Sequence, residues 1–232
     1  MMLTFASYNI HKGVGLDRRR DPERILAVLR EIDADIIALQ EADRRFGARE
    51  AVIPRQAIDD HSPWKPVSPG MRSASMGWHG NVLLVRRDID VVAVSVVPLP
   101  TLEPRGAVCA ELDVGGSRLR VVGMHLDLSG LRRRHQVDAV CAHVGRGAKM
   151  PAVMMGDFNE WSAHGGALRG FSDGFRVLAP GRSFPARRPV AHLDRIVVTR
   201  DWTVEQAGVH HSALAAIGSD HLPVWARLTL PA

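Results

Sequence analysis

The sequence of 232 residues is 46% hydrophobic and 24% charged, with a formal net charge of +5 and a pI of about 10. This composition is ordinary for a globular protein, and two cysteines are too few for a disulfide framework. No apolar run approaches the roughly 20 residues that cross a membrane, and the first residues lack the pattern of a signal peptide. We therefore expect a cytoplasmic protein with one domain over residues 1–232, no stable membrane insertion and no protein partner.

The cations are almost all arginine, since lysine occurs only at positions 12, 65 and 149. One guanidinium group can donate two hydrogen bonds to the oxygens of a phosphate. The positive charge of the chain therefore permits a polyanionic substrate. An arginine-rich composition with a solvated surface explains the same charge equally well. The cysteines, Cys109 and Cys141, lie in strand-like and helix-like segments and are expected to be small buried apolar residues.

The first forty residues predict a strand, a helix and a second strand. Residues 3–10 alternate in polarity, and residues 21–33 carry an Asp cap, a proline at the first helical position and one apolar face. Residues 34–41 form a short apolar run with branched side chains, which predicts a buried strand ending at Glu41. The polar segment 42–80 predicts a long excursion with one helix near residues 50–59.

Strand patterns dominate the rest of the chain. They cover residues 81–87, 90–97, 106–114, 117–127, 150–160, 192–200, 202–210 and 221–230. Gly115-Gly116 predicts a hairpin turn, and residues 131–147 predict one amphipathic helix. Strand runs with single helices between them favour a four-layer α/β sandwich, in which two mainly antiparallel sheets pack face to face with helices outside. A doubly wound parallel sheet is the alternative, and the consecutive strands from 81 to 126 argue against it.

Polar side chains stand next to several of these strands, where each strand ends or begins. They are Asn9, Glu41, His125, Asp157, Asn159, Asp194, Asp220 and His221. Each one alone is more often a turn, cap or surface residue, but their shared position indicates a common site at one rim of the sheets. Glu41, Asp220 and the amide of Asn9 offer hard oxygen ligands, which suit Mg²⁺ or Mn²⁺ better than Zn²⁺.

Eight segments carry a family resemblance. In chain order they are SYNIHKG, DIIALQE, HGNVLL, PRGAV, MHLDLS, MGDFNEW, HLDRIVV and SDHLPV. Together they resemble the endonuclease/exonuclease/phosphatase superfamily, and the YNIHKG and PRGAV segments resemble small bacterial members most. The resemblance implies the four-layer sandwich and hydrolysis of a phosphoester by direct attack of water, assisted by a divalent metal.

The resemblance also implies roles for the metal and water sites. Glu41 would be the principal ligand of Mg²⁺ or Mn²⁺, with Asn9 and Asp220 beside it. Asp157 would orient or deprotonate the attacking water. Asn159 would hold the nucleophile or a phosphate oxygen.

The remaining roles concern the phosphate. His221 would stabilise or protonate at the phosphate, with Asp194 accepting its other ring proton, and His125 would contact phosphate or assist the leaving group. Arg105 in PRGAV could add a bidentate phosphate contact, or it could be a surface residue in a turn. Asn81 in HGNVLL could line the substrate site, or it could cap the start of a strand.

Three functions follow from these residues. The basic chain favours a nuclease that acts on DNA or RNA. The same chemistry could act on a phospholipid or a small phosphate ester, because the sequence has no extended lysine-rich arm for DNA. The third is a non-catalytic module that binds phosphate ligands, which the presence of all the expected catalytic side chains argues against. The segment LRRRHQ, residues 131–136, is expected to be a solvated helix face or a contact for a phosphate backbone.

Overall fold

Two sheets of six strands form the centre of the computed structural model, which describes residues 1–44, 49–70, 74–101, 105–163, 165–171 and 174–230. The strands of the first sheet are β1 (Met2–Asn9), β2 (Ile36–Gln40), β3 (Trp64–Val67), β4 (Val82–Arg86), β11 (Thr203–Val209) and β12 (Val224–Thr229). Those of the second sheet are β5 (Asp90–Val97), β6 (Gly106–Val114), β7 (Ser117–His125), β8 (Ala152–Asp157), β9 (Phe175–Leu178) and β10 (Asp194–Thr199).

The strand order is β11-β12-β1-β2-β4-β3 in the first sheet and β5-β6-β7-β8-β10-β9 in the second. Among the described pairs, β1 with β2 and β7 with β8 are parallel, and the other neighbours are antiparallel. Each parallel pair is joined by a crossover that contains a helix, as parallel neighbours require. The carboxyl ends of these four strands therefore meet at one edge of the molecule.

The helices lie outside the sheets. They are α1 (Pro22–Ile32), α2 (Arg55–His61), α3 (Gly130–Val144) and α4 (Ala215–Gly218), with short 3₁₀ helices at His11–Gly13 and Gly166–Phe171. The side chain of Asp21 accepts a hydrogen bond from the backbone N–H of Arg24, and Pro22 takes the first position of α1, as the sequence predicts. The apolar face of α1 packs on the first sheet.

Three apolar layers hold the elements together. The central layer lies between the sheets and includes Phe5, Leu83, Met155 and Trp202. A second layer joins the first sheet to α1 and α2, and a third joins the second sheet to α3 and the 3₁₀ helix at Gly166–Phe171. This order of helix, sheet, sheet and helix confirms the predicted four-layer α/β sandwich.

Two strands were absent from the sequence prediction. β3 follows α2 in the segment expected to be mostly irregular, and β9 lies in the glycine-rich stretch before β10. Both have only four residues and both lie at the end of their sheet, so tertiary pairing rather than local pattern defines them. The helix expected near residues 50–59 forms at Arg55–His61.

No helix in the described part of the chain is long and apolar enough to cross a membrane. Cys109 is buried as predicted, whereas Cys141 is only half-buried, and both thiols are free. Burial raises the pKa of each thiol to about 11, so both are protonated and unreactive near neutral pH.

Candidate active site

Three of the predicted catalytic side chains lie in a row across adjacent strands of the second sheet. His125 ends β7, Asp157 ends β8 and Asp194 begins β10. The register pairs His125 with Asp157 and Asp157 with Asp194. Residues directly opposite one another project from the same face of a sheet, so the three side chains are brought together.

Asp157 is the centre of the resulting network. Its Oδ2 accepts a hydrogen bond from Nδ2 of Asn9 at 3.0 Å, and it lies 3.3 Å from Nε2 of His125 and 3.7 Å from Nε2 of His221. Burial opposes ionisation of Asp157, but His221 and His125 outweigh it and hold the pKa of this carboxyl well below its usual range. Because Asn9 belongs to β1, the same carboxylate also joins the two sheets.

The Gly-Asp-Phe-Asn segment aims two polar side chains at the same side of the strand end. The backbone N–H of Asn159 donates to Oδ1 of Asp157 at 2.9 Å, and Nδ2 of Asn159 donates to the carbonyl of Leu126 at 2.9 Å. Phe158 points the other way and is buried in the outer apolar layer. A Cβ at Gly156 would lie 1.8 Å from a carbonyl oxygen of β7, so only glycine fits before the acid.

His221 is held by two acids. Its Nδ1 lies 2.8 Å from Oδ2 of Asp194, and the Ser183 hydroxyl donates to that same oxygen at 2.5 Å. Burial opposes a charged imidazole, but Asp194 and Asp157 outweigh it and raise the pKa of His221 to about 10. His221 is therefore an imidazolium near neutral pH, with its Nδ1–H on Asp194 and its Nε2 at 3.7 Å from Asp157, too far for a hydrogen bond.

The first sheet supplies the other side of the site. Oδ1 of Asn9 accepts from the backbone N–H of His11 at 3.1 Å, and the Ser219 hydroxyl donates to the carbonyl of Asn9 at 2.7 Å. Ser219 also lies 3.3 Å from Oδ1 of Asp220, and Nδ1 of His11 lies 3.9 Å from that oxygen. These contacts place the half-exposed Asp220 carboxylate at the end of β1.

Glu41 follows β2 and is paired with a lysine. Nζ of Lys12, from the 3₁₀ helix after β1, contacts Oε2 of Glu41. Burial opposes the ionisation of Glu41, but Lys12, followed by His125, lowers the pKa of this carboxyl. Glu41 is therefore an anion at the mouth of the site.

The donor chemistry on this side fits a hard divalent cation. Glu41, Asp220 and the amide of Asn9 present oxygen donors, which Mg²⁺ and Mn²⁺ prefer. The described residues contain no group of three His, Cys, Asp or Glu side chains placed to hold a metal. A bound ion would therefore keep several waters, as Mg²⁺ usually does. The ammonium of Lys12 against Glu41 marks the place as one that attracts positive charge.

The two predicted substrate-binding residues are placed differently. Arg105 precedes Gly106, which pairs with His125, and its Nη1 lies 2.8 Å from Nδ1 of His125. Asn81 is buried at the start of β4, and its Nδ2 donates to the carbonyl of Trp78 at 3.2 Å. The hydrogen bonds described for Asn81 stay within its own turn, so Arg105 contacts the network through His125, whereas Asn81 has no described hydrogen bond to it.

Backbone conformation also distinguishes this edge. Eight described residues other than glycine have positive φ, and five of them flank the site: His11, Lys12, Glu41, His79 and Asn159. Left-handed conformations cost free energy in residues with a Cβ and persist where the surrounding structure imposes them, which is frequent at functional sites. Positive φ values are thus concentrated in the segments that flank the site.

Sequence reasoning assigned no role to Lys12, Ser183 or Ser219. Lys12 and Ser219 lie inside two of the motif segments, SYNIHKG and SDHLPV, so their position was a usable signal. Ser183 lies in an irregular stretch without periodicity, and its contact with Asp194 depends on the tertiary fold.

Comparisons with known proteins identify relatives in sequence and in fold. The chain is 27% identical over 207 residues to the uncharacterized protein YbhP of Escherichia coli strain K12, with 82% of each chain covered. Its fold is similar to D. rerio TDP2 complexed with single strand DNA product, with a TM-score of 0.77, 14% identity, and coverage of 98% of this chain and 99% of that one. It is also similar to the Bacteroides thetaiotaomicron mannosyl-6-phosphatase, with a TM-score of 0.75, 20% identity, and coverage of 98% and 100%.

A family model matches most of the chain. Residues 6–221 match the model of the Endonuclease/Exonuclease/phosphatase family, which confirms the prediction made from the eight segments. The chain therefore belongs to the endonuclease/exonuclease/phosphatase family.

Proposed function

We propose that the protein is a divalent-metal-dependent phosphodiesterase in which water attacks phosphorus directly. One observation carries the proposal. An ionised Asp157, a charged His221 held by Asp194, and the carboxylates of Glu41 and Asp220 converge from both sheets on one edge. In the transfer of a phosphoryl group to water, carboxylates bind the metal and orient the water, and fixed cationic donors stabilise the charge on the phosphate.

The metal would be Mg²⁺, with Mn²⁺ as the alternative, held by Glu41 with Asn9 and Asp220. When bound, it would polarise the phosphoryl group and neutralise its charge. The membership of the family supports a metal-dependent hydrolase.

Asp157 would orient the attacking water. A general base works best when its pKa lies near the working pH, and the pKa of Asp157 is held well below that range. The Asp157 carboxylate therefore accepts a hydrogen bond from the water and fixes its line of attack, more than it removes a proton. Asn159 stiffens this position through its bonds to Asp157 and Leu126.

His221, His125 and Arg105 would bind the phosphate. Asp194 fixes the ring of His221 through Nδ1, which leaves the Nε2–H to donate to a phosphoryl oxygen as negative charge develops there. Arg105 and His125 stand side by side and can donate to a second oxygen or to the leaving group.

The substrate class has two candidates. A basic chain and the similarity of fold to a protein complexed with single strand DNA support DNA or RNA. The apolar side chains around the site, described below, support a phosphodiester of a membrane phospholipid. The prediction of nucleic acid from the sequence stays a prediction.

The chemistry can be tested without choosing between these substrates. We expect the purified protein to hydrolyse bis(p-nitrophenyl) phosphate in Mg²⁺ or Mn²⁺, to lose activity in EDTA and to recover it when metal is restored. Asp157→Asn is expected to lower kcat by about 10²–10³ or more, because it removes the charge that orients water. Asp88→Asn, an exposed acid in the turn after β4, is the matched control. Turnover that survives EDTA, or that Asp157→Asn leaves unchanged, would refute the proposal.

A further inference from the structure

The exposed apolar side chains are concentrated around the site. Nine large hydrophobic side chains are more than a third exposed in the described part of the chain. Six of them lie on segments at the catalytic edge: Leu16, Leu128, Leu131, Trp161, Val190 and Ile217. The other three are Met1, Met2 and Val92. Scattered exposed apolar residues need no explanation, but such a concentration indicates an interaction surface.

Direct contacts tie one group of these residues to the site. The ring of Trp161, which is 64% exposed, meets the ring of Phe184 edge-on at 6.2 Å, and Phe184 lies 4.8 Å from the ring of His221. The backbone N–H of Val190 donates to the carbonyl of Phe184 at 2.9 Å. Trp161 and Val190 therefore both contact Phe184, which packs against the histidine that would bind the phosphate.

The other apolar residues lie on segments that flank the site. The backbone N–H of Leu16 donates to the carbonyl of Ile217 at 2.9 Å, and Ile217 is three residues before Asp220. Leu128 follows the end of β7, and its carbonyl accepts from Arg133, which also contacts Glu160 next to the Gly-Asp-Phe-Asn segment. Leu131 lies in the first turn of α3 beside it.

Exposed arginines lie close in sequence to these apolar side chains. They are Arg18, Arg19, Arg20, Arg134, Arg182, Arg187 and Arg188. Each lies within a few residues of an exposed Leu, Trp or Val in the chain, or on the same loop. The segments of this face thus carry exposed apolar and cationic side chains together and no long apolar stretch, which is the composition of surfaces that bind reversibly to anionic membranes.

We infer that this face, defined by Leu16, Leu128, Leu131, Trp161, Val190 and Ile217, docks the catalytic edge onto an anionic phospholipid membrane. Leucine, isoleucine and valine have no π-face for a base to stack on, so nucleic acid leaves five of the six unexplained. A second copy of the chain would bring like charges together. If the proposed function holds, the substrate is a phosphodiester in the lipid headgroup, and this part of the inference rests on that function.

The test measures binding apart from catalysis. Co-sedimentation uses vesicles of phosphatidylcholine alone and of phosphatidylcholine with phosphatidylglycerol, and the wild-type protein is expected to bind the second kind selectively. Val190→Ser and Val92→Ser form a matched pair, because both valines are half-exposed and only Val190 lies on the face. We expect roughly fivefold to tenfold weaker partition for Val190→Ser and no change for Val92→Ser.

The charges are tested in the same way. The double variant Arg187→Gln with Arg188→Gln is expected to weaken binding by about tenfold or more, since each cation near an anionic surface contributes roughly fivefold. Arg146→Gln with Arg200→Gln removes two exposed arginines at the opposite end of the second sheet and is expected to change nothing. Thermal unfolding of every variant shows whether a loss of binding is a loss of fold.

Failure of the docking inference and failure of the proposed function give different results. Binding to vesicles with no turnover of bis(p-nitrophenyl) phosphate in any metal would overturn the function and leave the docking surface standing. Turnover with no selective binding to phosphatidylglycerol vesicles would overturn the docking surface alone. Binding of single-stranded DNA that Leu128→Ser and Val190→Ser weaken, with vesicles unbound, would assign the face to nucleic acid and overturn the inference.

Discussion

At the scale of single residues, Lys12 is expected to affect metal binding, because it contacts the proposed metal ligand Glu41. Its ammonium contacts one oxygen of Glu41, so Lys12 competes with a metal ion for this carboxylate. We expect Lys12→Met to bind Mn²⁺ about twofold to fivefold more tightly in isothermal titration calorimetry, since a half-exposed ion pair contributes up to about 1 kcal/mol. Lys65→Met, remote from the site, is the control. Weaker Mn²⁺ binding by Lys12→Met would mean that the lysine supports the ligands instead of competing with them.

His221 and Asp194 allow a second test at this scale. Asp194 raises the pKa of His221 to about 10, so its removal is expected to lower that pKa. In the metal-free protein, NMR titration of the His221 ring should show Asp194→Asn titrating at clearly lower pH than the wild type. The proposed role also requires kcat to fall by about 10²–10³ in this variant. An unchanged titration would mean that Asp194 does not set the charge of His221.

The sequence allowed the convergence of these side chains to be predicted, but not their partners. Asn9, Asp157 and Asp194 stand at strand ends, and strand ends are recognisable from apolar runs. The contact of Lys12 with Glu41 joins segments 29 residues apart, and that of Ser183 with Asp194 depends on an irregular loop. No local pattern encodes such pairs.

At the scale of elements, α3 contacts the loops next to the proposed catalytic residues. Arg133 is buried, and it donates to the carbonyls of Asp127 and Leu128 and to Oε2 of Glu160. Gln136 accepts from the backbone N–H of Asp127 at 2.8 Å. For these two residues the expected solvated helix face is wrong, because one polar side of α3 packs on the loops after β7 and β8.

We expect Arg133→Gln to lower kcat by about tenfold with little change in KM, since it loosens the loops that aim His125 and Asp157 without touching substrate. Arg134→Gln, on the exposed side of the same helix, is the matched control. Partial recovery by Arg133→Lys, which restores the charge without the planar fork, would support a positioning role. Equal effects at 133 and 134 would contradict it.

Glu160, which pairs with Arg133 of α3, is expected to make the stability of the protein depend on pH. Burial opposes its ionisation, but hydrogen bonds from Ala167 and Ser162 and the charge of Arg133 lower the pKa of Glu160 below its ordinary value of 4.5. A lowered pKa stabilises the fold above the unfolded value, and that contribution disappears as pH falls through the folded value. Urea unfolding should show Glu160→Gln less stable than wild type at pH 7, with the difference shrinking below about pH 4.5. If the difference in stability between the two proteins does not change with pH, the ionisation of Glu160 does not contribute to stability.

At the scale of the whole molecule, the central layer between the sheets sets the stability. Trp202 is buried there and meets Phe5 edge-on at 5.6 Å. We expect Trp202→Ala to lower the free energy of unfolding by about 3–5 kcal/mol, because the large cavity cannot close between two sheets. Trp161→Ala, at an exposed tryptophan, should change it by about 0.5 kcal/mol or less. Similar losses at the two positions would show that Trp161 is part of the packed structure.

The four-layer arrangement was predictable because strands in consecutive runs of hairpins leave few alternatives, as β5, β6 and β7 illustrate. The short edge strands β3 and β9 were not, since four residues carry too little periodicity to outweigh a polar, glycine-rich context.

The two sheets repeat one pattern of pairing. In each, a parallel pair at the centre, β1 with β2 or β7 with β8, is flanked by antiparallel neighbours on both sides. Asn9 and His125 occupy equivalent ends, as do Glu41, just after β2, and Asp157, at the end of β8. The pairing pattern of the molecule is thus pseudo-twofold, and the candidate active site lies on the seam between the two sheets. Any ligand held there clamps the two halves together, so occupancy of the seam should slow their separation when the chain is pulled or heated.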